Sequence, residues 1–64
     1  MHTYAKLKNN DVMVVYSDNQ LEETYHCYSL DLDGLFDASV DSTTKISYSD
    51  VLCVDCNLSY IKNY

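Results

Sequence analysis

Three cysteines, two histidines and ten acids are the residues of this 64-residue chain with reactive or ligating chemistry to offer. Cys53 and Cys56 stand three positions apart, a spacing at which two thiolates can chelate zinc when a turn brings both sulfurs to one side. His2, His26 or Cys27 would have to complete such a site. The pattern argues against it. Cys53 falls in the apolar run Val51–Val54, which reads as a strand, and positions i and i+3 of a strand face opposite ways. His26 and Cys27 are adjacent and diverge for the same reason. An odd number of cysteines also prevents a closed set of intrachain disulfides. The expected state is free thiols, with Cys27 and Cys53 as small buried apolar side chains, no metal and no cofactor.

The run Asp31-Leu32-Asp33-Gly34-Leu35-Phe36-Asp37 invites comparison with a calcium loop. An EF-hand loop needs glycine at position 6 and glutamate at position 12. Counted from Asp31, Gly34 falls at position 4 and Ser42 at position 12, so the match fails. Carboxylate pairs for acid–base work exist by count only, because a domain this small has no cleft to hold a sugar between them. No nucleophile elbow or glycine-rich loop positions a serine, cysteine or histidine. Enzymatic activity is not expected.

Charge distribution is the strongest signal. The formal net charge is −6, with four Lys, at positions 6, 8, 45 and 62, and no Arg. Between Lys8 and Lys45 there is no cation, yet that stretch carries Asp11, Asp18, Glu22, Glu23, Asp31, Asp33, Asp37 and Asp41. Direct nucleic-acid binding is not expected, since phosphate affinity requires several cations on one face. No apolar run approaches the roughly 20 residues of a membrane span. The opening residues lack the apolar stretch of an export signal, so a cytoplasmic location is expected, in which thiols stay reduced.

The elements that must position these residues read as strands. Thr3–Lys8 alternates Tyr4, Lys6 and Lys8 against Ala5 and Leu7, the period of a strand with one wet face. Asn9-Asn10 fits a tight hairpin turn, because asparagine tolerates the left-handed backbone. Val12–Tyr16 reads as a central strand, Ser17–Gln20 as a polar turn, and Thr24–Leu30 as a further strand. Gly34 is the expected positive-φ position, and Leu35-Phe36 a short strand or loop anchor. Asp37–Thr44 reads as the longest loop. Lys45–Tyr48 alternates again, Ser49-Asp50 can cap one helical turn, and Val51–Val54 is a buried run. Leu58-Ser59-Tyr60-Ile61 reads as an apolar terminal strand edge. No window carries helical periodicity.

The expected fold is therefore all-β: one compact domain over residues 1–64, a small antiparallel barrel or sandwich of five or six strands with at most one short helical turn. A strand, a capped polar turn and a short apolar strand, in that order, is an SH3-like layout, an analogy that carries no function. Leu7, Val12, Val14, Tyr16, Ile46, Val51, Leu52 and Val54 are the expected core, with Tyr48 inside and Tyr25, Tyr28, Tyr60 and Tyr64 partly outside.

Function narrows to protein recognition. Asp18, Glu22, Glu23, Asp31, Asp33 and Asp37, if turns gather them, make a negative face, and Tyr25, Tyr28 and Phe36 would supply its apolar anchors. Such a face suits a small inhibitor that occludes a basic surface on a larger protein. In composition it resembles the small proteins of phages and mobile elements whose carboxylates imitate nucleic-acid phosphates, with nucleic-acid-handling enzymes as targets. Two other readings follow from the same residues. One is a barrel that binds a small ligand or peptide at an aromatic groove lined by Tyr25, Tyr28 and Tyr48. The other is a subunit of a homo-oligomer. Unblunted strand edges favour a homodimer.

Overall fold

The structure, a computed structural model, describes residues 2–32 and 42–64. Among them, five strands form one antiparallel sheet: β1 (Thr3–Leu7), β2 (Val12–Asn19), β3 (Thr24–Ser29), β4 (Thr44–Ser47) and β5 (Val51–Asp55). One short helix, α1 (Leu58–Lys62), follows β5, and single 3-10 turns span Leu30–Leu32 and Tyr48–Asp50. The strand order is β4-β3-β2-β1-β5, so β4 and β5 are edges and the sheet is not closed into a barrel. The expected all-β class and the single short helix hold.

The β1–β2 connection forms as its residues require. Asn10 sits in the left-handed region at φ 73°, and its N–H donates to the Leu7 carbonyl at 2.9 Å. The Leu7 N–H donates to the Asp11 carbonyl at 2.8 Å, and the Asn9 side-chain oxygen accepts from the Asp11 N–H at 3.0 Å.

Strand register defines two faces. Ala5, Met13, Val15, Cys27, Tyr25, Ile46 and Val54 share one, since each is paired or alternates in step with the others. Tyr4, Lys6, Val12, Val14, Tyr28, His26, Cys53 and Asp55 share the other. The first face is coiled inward. Leu7 of β1 and Ile46 of β4 line one recess with Lys8, Asn9 and Asp50, although β1 and β4 lie three strands apart. Three strand spacings in a flat sheet would separate them by about 14 Å. Helix α1 lies on the second face, against β1 and β5, with Ile61 wholly buried. Its start is fixed by Asn57, whose side-chain oxygen accepts from the Tyr60 N–H at 3.1 Å, while Asp55 accepts from the Asn57 N–H at 2.8 Å.

Four expectations are corrected here. Tyr16 and Leu52, expected in the core, are 46% and 44% exposed. Both fall at bulges: Val15 pairs Cys27 and Ser17 pairs His26, leaving Tyr16 unpaired, and Leu52 is skipped between Val51 and Cys53 in the same way. A bulge adds one residue and breaks the period of two on which the core assignment rested. Lys6, expected on a wet face, is buried at 8% exposure because α1 covers that face. Its ammonium donates to the Lys62 carbonyl at 3.3 Å, in the last turn of the helix, where free carbonyls and the helix dipole favour a cation. The segment Leu58–Ile61 is helical and is no strand edge. Finally, Ser17, Asp18 and Asn19 continue β2, and the turn lies after them. Leu7 and Val14 are buried as expected, while Val12, Ile46, Val51 and Val54 are half-buried.

Candidate functional site

The β2–β3 connection gathers a distinct set of side chains. Asp18 on β2 pairs directly with Tyr25 on β3, and Asn19 with Thr24, so the turn runs through residues 20–23. Asn19 holds that turn from inside. Its oxygen accepts from the Glu22 N–H at 3.2 Å, and its amide donates to the Glu22 carboxylate at 3.2 Å. The Glu23 N–H donates to the Gln20 carbonyl at 3.3 Å. Glu23 takes φ 54°, a left-handed conformation that a side chain with Cβ adopts only at some cost.

The 3-10 turn after β4 docks onto this end. The Tyr48 N–H donates to the Glu23 carbonyl at 2.9 Å. The Tyr25 and Tyr48 rings contact at 4.7 Å between centroids, tilted by 41°. The Tyr48 hydroxyl donates to the Asp18 carboxylate. That hydrogen bond, together with burial and the nearby negative charges of Asp18 and Glu23, pushes the phenol up to about 12. Tyr25 is also raised, first by burial and then by Asp18. Lys45 on β4 reaches the other Glu22 oxygen at 3.1 Å, so one cation does enter the acidic cluster.

Of the residues singled out in the sequence, Asp18, Glu22, Glu23 and Tyr25 come together here. Tyr28 does not join them. It lies on the opposite face of β3 and is buried at 7% exposure, so it is core and no exposed anchor. Asp31 lies past the other end of β3, beside an open recess of about 330 Å³ lined also by Asp11, Val12, Met13, Ser29 and Leu30. Asp33, Phe36 and Asp37 lie outside the described residues, as do Gly34 and Leu35. Asp18, Glu22 and Glu23 thus stand at one end of β3, and Asp11 and Asp31 at the other.

Two further residues belong to the hairpin end. Tyr48, expected inside and, on the groove reading, beside Tyr25, is half-buried and bonded to Asp18. Leu21, at the tip of the turn, is 99% exposed. It is the single apolar side chain between Ser17 and Glu23, and that isolation was the signal available for it.

Cys27 is fully buried, and burial pushes its thiol up to about 11, which leaves it a poor nucleophile. Cys53 is half-buried and Cys56 exposed. Among the described residues, no three His, Cys, Asp or Glu side chains gather as metal ligands. Among them too, no helix is long and apolar enough to cross a membrane. Comparison with protein-family models, with curated proteins and with solved structures finds no match to this chain.

Proposed function

We propose that this chain is a protein-binding module whose β2–β3 end occupies a basic surface on a larger protein and so inhibits or modulates it. One observation carries the reading. Asp18, Glu22 and Glu23 are brought beside the Tyr25–Tyr48 ring pair at one end of the sheet, by strand pairing and a turn that side-chain bonds hold. Charge of one sign steers encounter with a complementary surface, and aromatic rings supply the desolvated contact that dominates interface energy. The reading takes the chain as non-enzymatic and as acting in a cytoplasm. Its preferred target is a nucleic-acid-handling enzyme with a Lys/Arg-lined groove, and a phage or mobile element is the source that composition suggests.

The test is retention on the immobilised chain from host lysate, with retained proteins identified by mass. Basic proteins held at low salt and released as salt rises are expected, because screening weakens exposed charge pairs. The double variant Glu22→Lys, Glu23→Lys should retain none of them. Asp31→Lys, at the other end of β3, should behave as wild type. Equal retention by the double variant would reduce the acids to a solubility coat.

A second reading is favoured by the ring pair. The strand order with a 3-10 turn between β4 and β5 fits an SH3-like layout, and Tyr25 and Tyr48 would flank a groove for a peptide or small ligand. Binding that persists at high salt and is lost in Tyr25→Ala would favour this reading over the first. Self-association, on either reading, would use the β4 or β5 edge, and light scattering across a dilution series tests it.

A further inference from the structure

We propose that Leu21 is the apolar anchor of the β2–β3 end, and that the surface it meets is a pocket on a folded protein with an apolar floor and a Lys/Arg rim. This deepens the protein-binding reading above and rests on it. The side chain is 99% exposed and is projected from a turn that is already ordered. Asn19 bonds both the backbone and the carboxylate of Glu22, Lys45 fixes the second carboxylate oxygen, and Glu23 closes onto Gln20. The left-handed backbone of Glu23 completes the turn at a conformational cost. A turn that only joined two strands would be served by glycine at that position and a polar residue at the tip. Here the sequence keeps a glutamate in the strained position and a leucine in water. Because the turn is held, inserting Leu21 costs little further ordering, which is the condition under which a protruding side chain becomes an interface anchor.

The charges around it choose the partner. Asp18, Glu22 and Glu23 lie within three residues of Leu21, so whatever takes the leucine must accept carboxylates at its edge. An anionic membrane repels them. A second copy of this chain, with net charge −6, brings like charge to the same place. A pocket rimmed by lysine or arginine satisfies both requirements.

The experiment takes the salt-sensitive protein retained by the immobilised wild-type chain, purifies it, and titrates it with three forms of the full chain: wild type, Leu21→Ser, and Glu22→Lys with Glu23→Lys. Leu21→Ser should weaken binding by about tenfold or more, the effect of withdrawing one buried aliphatic side chain from an interface. Its salt dependence should stay that of wild type, because no charge has changed. The double reversal should weaken binding and flatten the salt dependence. Leu21→Ser binding within twofold of wild type overturns the anchor, while loss in the double reversal would leave the acidic-surface reading standing. Loss in Leu21→Ser alone, with the double reversal unaffected, overturns the basic rim. Retention of no protein by wild type that Leu21→Ser fails to retain counts against the proposal. So does sedimentation of wild type, but not Leu21→Ser, with phosphatidylcholine–phosphatidylserine vesicles. Far-UV spectra of all three forms should coincide, since none of these side chains lies in the core. Glu23→Lys alone, which leaves the Glu22 bonds to Asn19 and Lys45 in place, should weaken binding in the same direction as the double reversal.

Discussion

Two large aliphatic side chains of this molecule have opposite surroundings. Ile61 on α1 has no exposed surface and is pressed against β1 and β5, near the buried Lys6. Leu21 at the β2–β3 turn touches almost nothing but solvent. At the first end a helix covers the sheet, apolar contact holds it, and even the lysine is turned inward to a helix carbonyl. At the second end no α-helix of the described residues packs; the 3-10 turn carrying Tyr48 docks there, and hydrogen bonds made by polar side chains hold the hairpin. A small chain has too little core to stabilise both ends equally. The apolar end holds the larger share of the buried surface, and on the reading proposed above the polar end is the one left to recognition.

If that division holds, Ile61→Ala should produce the largest loss. Truncating a fully buried isoleucine costs about 2–5 kcal/mol. The core of a domain this size rarely supplies more than about 3–5 kcal/mol in total. The variant should be largely unfolded at room temperature, or should show a sharply lowered urea midpoint. A midpoint near that of wild type would mean that α1 is dispensable and that the comparison fails.

Lys6→Met sharpens the same end. It keeps most of the apolar stem and removes the ammonium that bonds the Lys62 carbonyl, so a loss of about 1 kcal/mol is expected. Lys6→Ala should cost more, because the stem itself packs beneath α1. The two urea midpoints, measured side by side, separate the hydrogen bond from the packing.

The residues show why one end was easier to read than the other. Alternation in Thr3–Leu7 and the Asn9-Asn10 turn are local signals, and both elements formed where their residues pointed. The short turn expected near Ser49-Asp50 also formed, but begins at Tyr48 and includes both residues, with Ser47 at its N-cap position and no side-chain cap. Tyr16 and Leu52 misled because a bulge is a property of a strand pair and leaves no mark in either strand alone. Helix α1 has five residues, too few to show a helical period, so Lys6 looked wet until the helix covered it. At the candidate site, Asp18, Glu22, Glu23 and Tyr25 were found from charge and aromatic content, and their proximity follows from hairpin pairing. Tyr28 was misplaced because its neighbour Tyr25, three positions away, falls on the other face. Tyr48 reaches the site by a long-range hydrogen bond that no short window of sequence encodes.

Tyr48 also gives the polar end a pH signature. Its phenol is raised from 10.0 to about 12, first by the hydrogen bond to Asp18. The folded state therefore favours the protonated phenol. The stability linked to it is fully present below pH 10 and is lost as pH rises from 10 through about 12. Titration of tyrosine-labelled protein by carbon NMR should show Tyr48 among the last rings to ionise. Asp18→Ala should return it toward 10 and should also lower Tyr25, for which Asp18 is the second cause after burial. A Tyr48 resonance that titrates unchanged in Asp18→Ala would show that the 3-10 turn is not held by this contact.

The smallest effect should come from Leu21→Ser, measured for stability alone. The substitution removes about as many carbon atoms as Ile61→Ala does, from a side chain of the same size. Composition would treat the two changes as equivalent. The structure does not, because hydrophobic stabilisation scales with apolar area withdrawn from water, and Leu21 withdraws almost none. The Asn19–Glu22 and Gln20–Glu23 bonds that fix the turn involve no atom of Leu21, so the backbone has no reason to relax. The urea midpoint should correspond to a change within about 0.5 kcal/mol, as for other exposed substitutions. A clearly larger loss would mean that Leu21 is covered in solution, by a second copy or by residues outside those described. The division between a stabilising end and a recognising end would then have to be redrawn around that contact.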